Sequence, residues 1–196
     1  MEHSYHSIEV HEEGLKSSLE MIYKESFFLK SEKPYLKNKV GANGNTTPSP
    51  WALDTRVAFS RGRLLRLITP SMAKILERHH VSQIVGRGYG SFLLIGGILS
   101  VDDQLTGGLL RHSRKTYGFQ HLVEGGLDRN LPLFIVDDIL ASGNSSLQAI
   151  NLLRQEEYHP IGVLVVFHFG WKAGAEILQS LGIIQESLAT LYRIKK

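Results

Sequence analysis

Two adjacent carboxylates, Asp137 and Asp138, follow the apolar residues 133–136 and precede a loop of small residues, with a helix expected from about Ser145. The loop consists of Ala141, Ser142, Gly143, Asn144 and Ser145. Ligands of open α/β sheets bind beyond the carboxyl ends of the strands, and amides at the start of a helix bind phosphate. Carboxylates suit sugar hydroxyls or a cation. The string therefore predicts a site for a phosphorylated ribose with bound magnesium.

The structural alternative is an Asx turn and a helix N-cap that only start the helix. It would be sufficient for an isolated pair of acids. It does not explain why an apolar strand, two acids, a small-residue loop and a helix start occur in one string. We therefore interpret residues 136–145 as a binding site.

A second group of polar residues lies between residues 111 and 118 and is bounded by glycine. Its members are Arg111, His112, Arg114, Lys115 and Tyr117. The segment has no hydrophobic anchor and is too polar to pack, which predicts a flexible loop. A solvated surface loop is the simpler alternative, but cations this dense repel each other unless an anion joins them. The pattern favours a loop that closes over an anion.

The elements that must position these residues follow from periodicity and turn signals. We expect helices over residues 12–30, 61–79 with a break near Pro70, 91–100, 145–156 and 172–181, and strands over 83–85, 131–136 and 161–167. This alternation predicts an α/β fold whose sheet is mostly parallel, with helices on both faces. Residues 1–50 are expected to form an N-terminal helix and a small hood, and residues 51–196 the core domain.

Composition excludes several classes of function. The chain has 196 residues, a net charge of +3 and no cysteine, so disulfides, thiolate metal sites and a cysteine nucleophile are ruled out. Lysine and arginine are scattered, so nucleic-acid binding is not indicated. We see no signal peptide and no apolar run long enough to cross a membrane. A soluble cytoplasmic protein is expected.

Four segments resemble the type I phosphoribosyltransferases. Residues 136–145 are similar to their PRPP-binding signature, residues 85–91 to their pyrophosphate loop, and residues 49–56 to their hood segment. The pattern from Arg111 to Gly118, followed by Val123-Glu124-Gly125, resembles the orotate phosphoribosyltransferases most closely. The resemblance extends from about Val40 to the C-terminus.

The resemblance implies transfer of ribose 5-phosphate from PRPP to a nucleobase-like acceptor, with Mg²⁺ as cofactor. It implies catalytic roles for Lys115, Arg111, Asp137 and Asp138, and PRPP binding by the acid pair, residues 141–145, Arg87 and Gly88. No residue is assigned to the metal alone, because magnesium would arrive with PRPP near the acid pair. It also implies a homodimer in which the loop at 111–118 closes over the pyrophosphate of the neighbouring subunit.

The sequence departs from the orotate enzymes at three places. His112 replaces a second lysine, residues 42–50 contain no lysine or arginine, and Phe167, His168 and Phe169 stand where an arginine helps to hold the substrate carboxylate. Phe167 and His168 are candidate acceptor-pocket residues, or else a core side chain and its polar neighbour. Two functions remain open: an active phosphoribosyltransferase for another base, or a PRPP- or nucleotide-sensing regulator or effector of a larger bacterial assembly with little turnover.

Overall fold

The computed structural model describes residues 5–29, 50–111 and 121–194, together with the backbone of residues 39–40 and 46–47. The helices are α1 (Lys16–Ser26), α2 (Thr55–Phe59), α3 (Gly62–Arg78), α4 (Tyr89–Leu99), α5 (Asn144–Gln155) and α6 (Gly174–Ser180). The strands are β1 (His6–Val10), β2 (Phe27–Leu29), β3 (Lys39–Val40), β4 (Thr46–Thr47), β5 (Trp51–Leu53), β6 (Gln83–Gly86), β7 (Thr106–Leu110), β8 (Val123–Gly125), β9 (Pro132–Leu140), β10 (His159–Phe169) and β11 (Ile184–Arg193).

A seven-stranded sheet forms the centre of the fold, in the order β1-β11-β10-β9-β6-β7-β8. The strands from β11 to β7 are parallel, and β1 and β8 add antiparallel edges. The pairs β2–β5 and β3–β4 form two small separate sheets. The expected α/β fold with a mostly parallel sheet is confirmed.

The sheet is buried on both faces because its central strands are apolar at consecutive positions. Ile84, Phe134 and Val136 belong to one core, which α1, α2, α3 and α4 cover. Val85, Leu133 and Ile135 belong to a second core, covered by α5 and α6. The central strands therefore have a helix layer on either side, and their carboxyl ends lie at the edge between the layers.

The N-terminal segment joins this framework directly. β1 pairs with β11, from His6 opposite Arg193 to Val10 opposite Ala189. Leu19 and Ile22 of α1 are fully buried in the first core. The division of the chain at residue 50 stays a prediction.

The structure corrects three expectations. The first helix ends at Ser26, and Phe27–Leu29 forms β2 instead of the last turn of a helix that reaches residue 30. α3 runs through Pro70 without ending there, because buried side chains such as Ile68 and Met72 hold both halves against the core while Pro70 faces outward. β9 continues to Leu140, so Asp137 and Asp138 lie within the strand and not after it. None of the helices in the described ranges is long and apolar enough to cross a bilayer.

Candidate active site

The predicted site residues that the structure describes lie at one edge of the sheet, where the parallel strands end. Gly86 ends β6 and leads to Arg87 and Gly88, and Leu110 ends β7 and leads to Arg111. β9 carries the acid pair and leads to the loop 141–143, and β10 ends just after His168. Parallel strands bring these ends together, as the sequence predicts.

The two acids are half-buried and have different partners. Ser91 of α4 donates a hydrogen bond from Oγ to Asp137 Oδ1 at 2.8 Å, and the backbone N–H of Asp138 donates to the same oxygen at 2.9 Å. The hydroxyl of Thr55 in α2 donates to Asp138 Oδ2. A Cβ on Gly90 would lie 2.7 Å from Asp138 Oδ2, so only glycine allows α4 to approach the carboxylate this closely.

Burial, and then the negative charge of Asp138, raises the pKa of Asp137 to about 7. The hydrogen bonds that Asp137 accepts from Ser91 and the Asp138 amide lower its pKa, but by less. Asp137 is therefore protonated in part near neutral pH, and a cation or hydroxyl donor beside its carboxylate would favour the ionised form.

The small-residue loop ends at Gly143, whose φ of 79° is the left-handed conformation that glycine adopts at no cost. α5 begins at Asn144, and the amides of its first turn have no acceptor within the helix. Gly174, at the start of α6, packs against the loop so closely that a Cβ there would lie 2.3 Å from the Ala141 carbonyl oxygen. The start of α6 therefore supports the loop on one side, and Ser142, Asn144 and Ser145 are exposed to solvent.

Two arginines directly follow the carboxyl ends of β6 and β7, which are neighbouring strands of the sheet. Arg87 reaches α5, where its Nη1 donates to Gln148 Oε1 at 3.0 Å, and Gly88 starts α4 with a φ of 102°. Arg111 Nη1 lies 3.5 Å from Glu124 Oε1 of β8. The predicted loop residues His112, Arg114, Lys115 and Tyr117 lie outside the described residues.

The end of β10 carries the two candidate acceptor residues. Phe167 is fully buried and meets the ring of Tyr23 edge-on, at 6.4 Å between centroids. Of the two interpretations open for Phe167, this burial favours the core. His168 is half-buried, and within the described part of the chain its buried Nε2 has no hydrogen-bond partner. Burial lowers the pKa of His168, which favours the neutral ring.

An aromatic cluster of His6, Trp51, Phe169 and Trp171 joins the end of β10 to the hood strand β5. Trp171 stacks on His6 at 4.9 Å and on Phe169 at 4.7 Å, and Trp51 meets Phe169 edge-on at 6.0 Å. Burial, and then Arg193, lowers the pKa of His6 to about 4, and His6 Nδ1 lies 2.7 Å from the Tyr23 hydroxyl. Because its charged form is disfavoured, His6 contributes a neutral ring to the cluster.

Sequence reasoning missed the contacts of Thr55 and Ser91, although both residues belong to segments that carry the resemblance. Each is 1% exposed, and each directs its hydroxyl at one member of the acid pair. The available sequence signal was that Thr55 lies in the hood segment, residues 49–56, and that Ser91 lies in residues 85–91, which resemble the pyrophosphate loop. Their target could not be read from either segment, because it is distant in sequence.

Comparisons with known proteins agree with this geometry. No family model matches the chain. It is 23% identical over 173 residues to the orotate phosphoribosyltransferase of Cytophaga hutchinsonii, covering 88% of this chain and 80% of the relative. It is 26% identical over 130 residues to that of Phocaeicola vulgatus, covering 65% and 61%. The chain thus spans between about three fifths and four fifths of these relatives.

Solved structures extend the match to three dimensions. The orotate phosphoribosyltransferase of Mycobacterium tuberculosis H37Rv, in complex with Fe(III) dicitrate, superposes with a TM-score of 0.71 at 21% identity, covering 88% of this chain and 93% of that one. Its PRPP complex gives 0.66 at 18% identity, covering 88% and 86%. The fold is that of the type I phosphoribosyltransferases. The resemblance to orotate phosphoribosyltransferases is confirmed at the level of fold and relatives, while the roles of individual residues stay predictions.

Proposed function

We propose that this protein is a PRPP-dependent phosphoribosyltransferase that transfers ribose 5-phosphate to a nucleobase-like acceptor other than orotate and releases pyrophosphate. The observation that carries the proposal is the acid pair on β9, held by Ser91 and Thr55 directly before the braced loop at the start of α5. The similarity to orotate phosphoribosyltransferases supports the same reaction type.

In this proposal Asp137 and Asp138 bind the ribose hydroxyls, and their negative charge favours the positive character that develops on the sugar ring. The amides of residues 142–145 bind the 5′-phosphate. Arg87 and Gly88 border the pyrophosphate. Because the leaving group gathers negative charge in the transition state, Lys115 and Arg111 stabilise it electrostatically. Closure of the loop they belong to excludes the water that would hydrolyse PRPP.

The residues present fit Mg²⁺ that is bound together with PRPP. In the described part of the chain, no group of three or more acidic, histidine or cysteine side chains could hold a metal on its own. Two neighbouring carboxylates suit a magnesium ion whose other ligands come from substrate oxygens and water. Bound there, the ion would supply charge compensation for the pyrophosphate.

We further propose a cytoplasmic homodimer with shared sites. Lys115 would act on PRPP held by the partner subunit, so each site would need both chains. This part rests on the resemblance alone.

The aromatic character of the acceptor side supports an uncharged acceptor. Trp51 and Phe169 bring together the hood and the end of β10, where the orotate enzymes use arginine. The nearby Arg193 guanidinium lies over the Trp171 ring, 5.1 Å from its centroid. A flat base stacked against aromatic rings would suit this region better than an anion whose carboxylate lacks a partner.

Calorimetry with PRPP and Mg²⁺ tests the proposal. The wild type is expected to bind PRPP, and the Asp137→Asn/Asp138→Asn double variant to lose binding while keeping the wild-type circular dichroism spectrum. Asp103→Asn, an exposed acid away from the site, is the matched control. Equal affinity in the double variant would refute the site. A pyrophosphate-release assay across purines, uracil and nicotinate then separates an enzyme from a sensor, which would bind PRPP and release nothing with any base.

A further inference from the structure

Asp138 is held by a residue that lies 83 positions before it in the sequence. Thr55 donates its hydroxyl to Asp138 Oδ2, and the hydroxyl is fixed because Thr55 itself is 1% exposed. On another side, Gly90 of α4 packs against the same carboxylate. Asp138 therefore has little freedom to rotate, although its own strand position does not impose this.

Thr55 also belongs to residues 49–56, the segment that resembles the hood of the orotate enzymes. It follows β5 by two residues and is the first residue of α2. Asp54, just before it, accepts two hydrogen bonds from Arg56, at 2.7 and 2.9 Å. The hydrogen bond to Asp138 is thus a direct connection between the hood and the proposed ribose site.

We propose that Thr55 is a positioning residue: its hydroxyl sets the orientation of the Asp138 carboxylate for PRPP and couples that orientation to the hood. This inference rests on the proposed function. Thr55 acts through Asp138 and does not itself contact the substrate. A carboxylate that loses a fixed donor in a half-buried site turns toward other donors or recruits water, and no longer presents both oxygens in the same place.

Thr55→Val removes the hydroxyl and keeps the shape, whereas Thr55→Ser keeps the hydroxyl. The chain also offers a matched control in Thr69 of α3. Thr69 is likewise 1% exposed, and its Oγ1 is buried without a hydrogen-bond partner in the described part of the chain. Thr69→Val makes the same chemical change on the same face of the sheet without touching Asp138.

Thr55→Val is expected to lower kcat/KM for PRPP by about tenfold or more, in line with the loss of a hydrogen bond to a charged group. Thr55→Ser should restore most of it, and Thr69→Val should leave it unchanged. In a double-mutant cycle, Thr55→Val should have little further effect once Asp138 is Ala, because alanine leaves no acceptor for the Thr55 hydroxyl. Wild-type kinetics in Thr55→Val, or equal losses in the Ser and Val variants, would overturn the role. If the Val variant does not fold, Thr55→Ala replaces it with the same expectation.

Crystal structures of the wild type and Thr55→Val separate this inference from the proposed function. If the wild type neither binds nor consumes PRPP, the proposed function fails. Even then, the orientation of the Asp138 carboxylate in the two crystal structures tests the role of Thr55. A changed orientation in the variant supports the positioning role, and an unchanged one refutes it.

Discussion

Asp137→Asn should stabilise the unliganded protein at neutral and alkaline pH. Asp137 Oδ1 accepts hydrogen bonds from Ser91 and from the Asp138 amide, and the amide oxygen of asparagine can accept both. The Nδ2 group of asparagine can then donate to Asp138, as the protonated acid does. The substitution thus resembles the protonated state of Asp137 at every pH.

The expected size follows from the pKa of Asp137, which burial and Asp138 raise from 3.8 to about 7. Well below pH 3.8 Asp137 is protonated in both the folded and the unfolded state, and folding incurs no penalty for releasing or binding a proton. As pH rises, the unfolded chain releases the proton first, so the wild type loses stability until the pH passes the folded pKa. The advantage of Asp137→Asn should grow by about 1.4 kcal/mol per pH unit and level off near pH 7, at no more than roughly 4 kcal/mol.

Urea titrations of both proteins between pH 5 and pH 8, without PRPP or magnesium, measure this difference. Asp103→Asn is again the control, because it removes an exposed acid. A gap in the free energy of unfolding that does not change with pH, or a less stable Asp137→Asn at pH 8, would refute the linkage between burial of the pair and stability.

Two further predictions concern the active assembly. Mixing Lys115→Ala and Asp138→Ala protomers should restore activity, because each heterodimer then contains one intact site and should have about half the activity of a wild-type dimer. No recovery in verified heterodimers would place the loop in the site of its own subunit or outside catalysis. Orotate should be a poor acceptor compared with uracil or purines, which carry no carboxylate, because Phe167, His168 and Phe169 replace the arginine that would pair the orotate carboxylate. Steady-state orotidine monophosphate synthesis with kcat/KM of about 10⁴ M⁻¹s⁻¹ or more would contradict this.

Local sequence patterns were sufficient to predict those helices and strands whose signals lie within a few residues. The apolar run before Asp137 and the small-residue loop after it predict β9 and α5, because an apolar strand and a helix start are both encoded within a few residues. β7 was missed for the opposite reason. Its Gly107 and Gly108 weaken any strand signal, yet both are required where Leu99 and Leu127 pack onto the strand.

The strand–loop–helix unit and the acid pair could be predicted because they are encoded by residues close together in the chain, and the alternation of such elements predicts the fold class. The groups that contact the two acids could not be predicted in this way. Thr55 lies 83 residues from Asp138, and Ser91 lies 46 from Asp137. Both reach the pair because α2 and α4 pack on the same face of the sheet. That packing is a long-range property of the whole core, and no pattern within either helix encodes its partner.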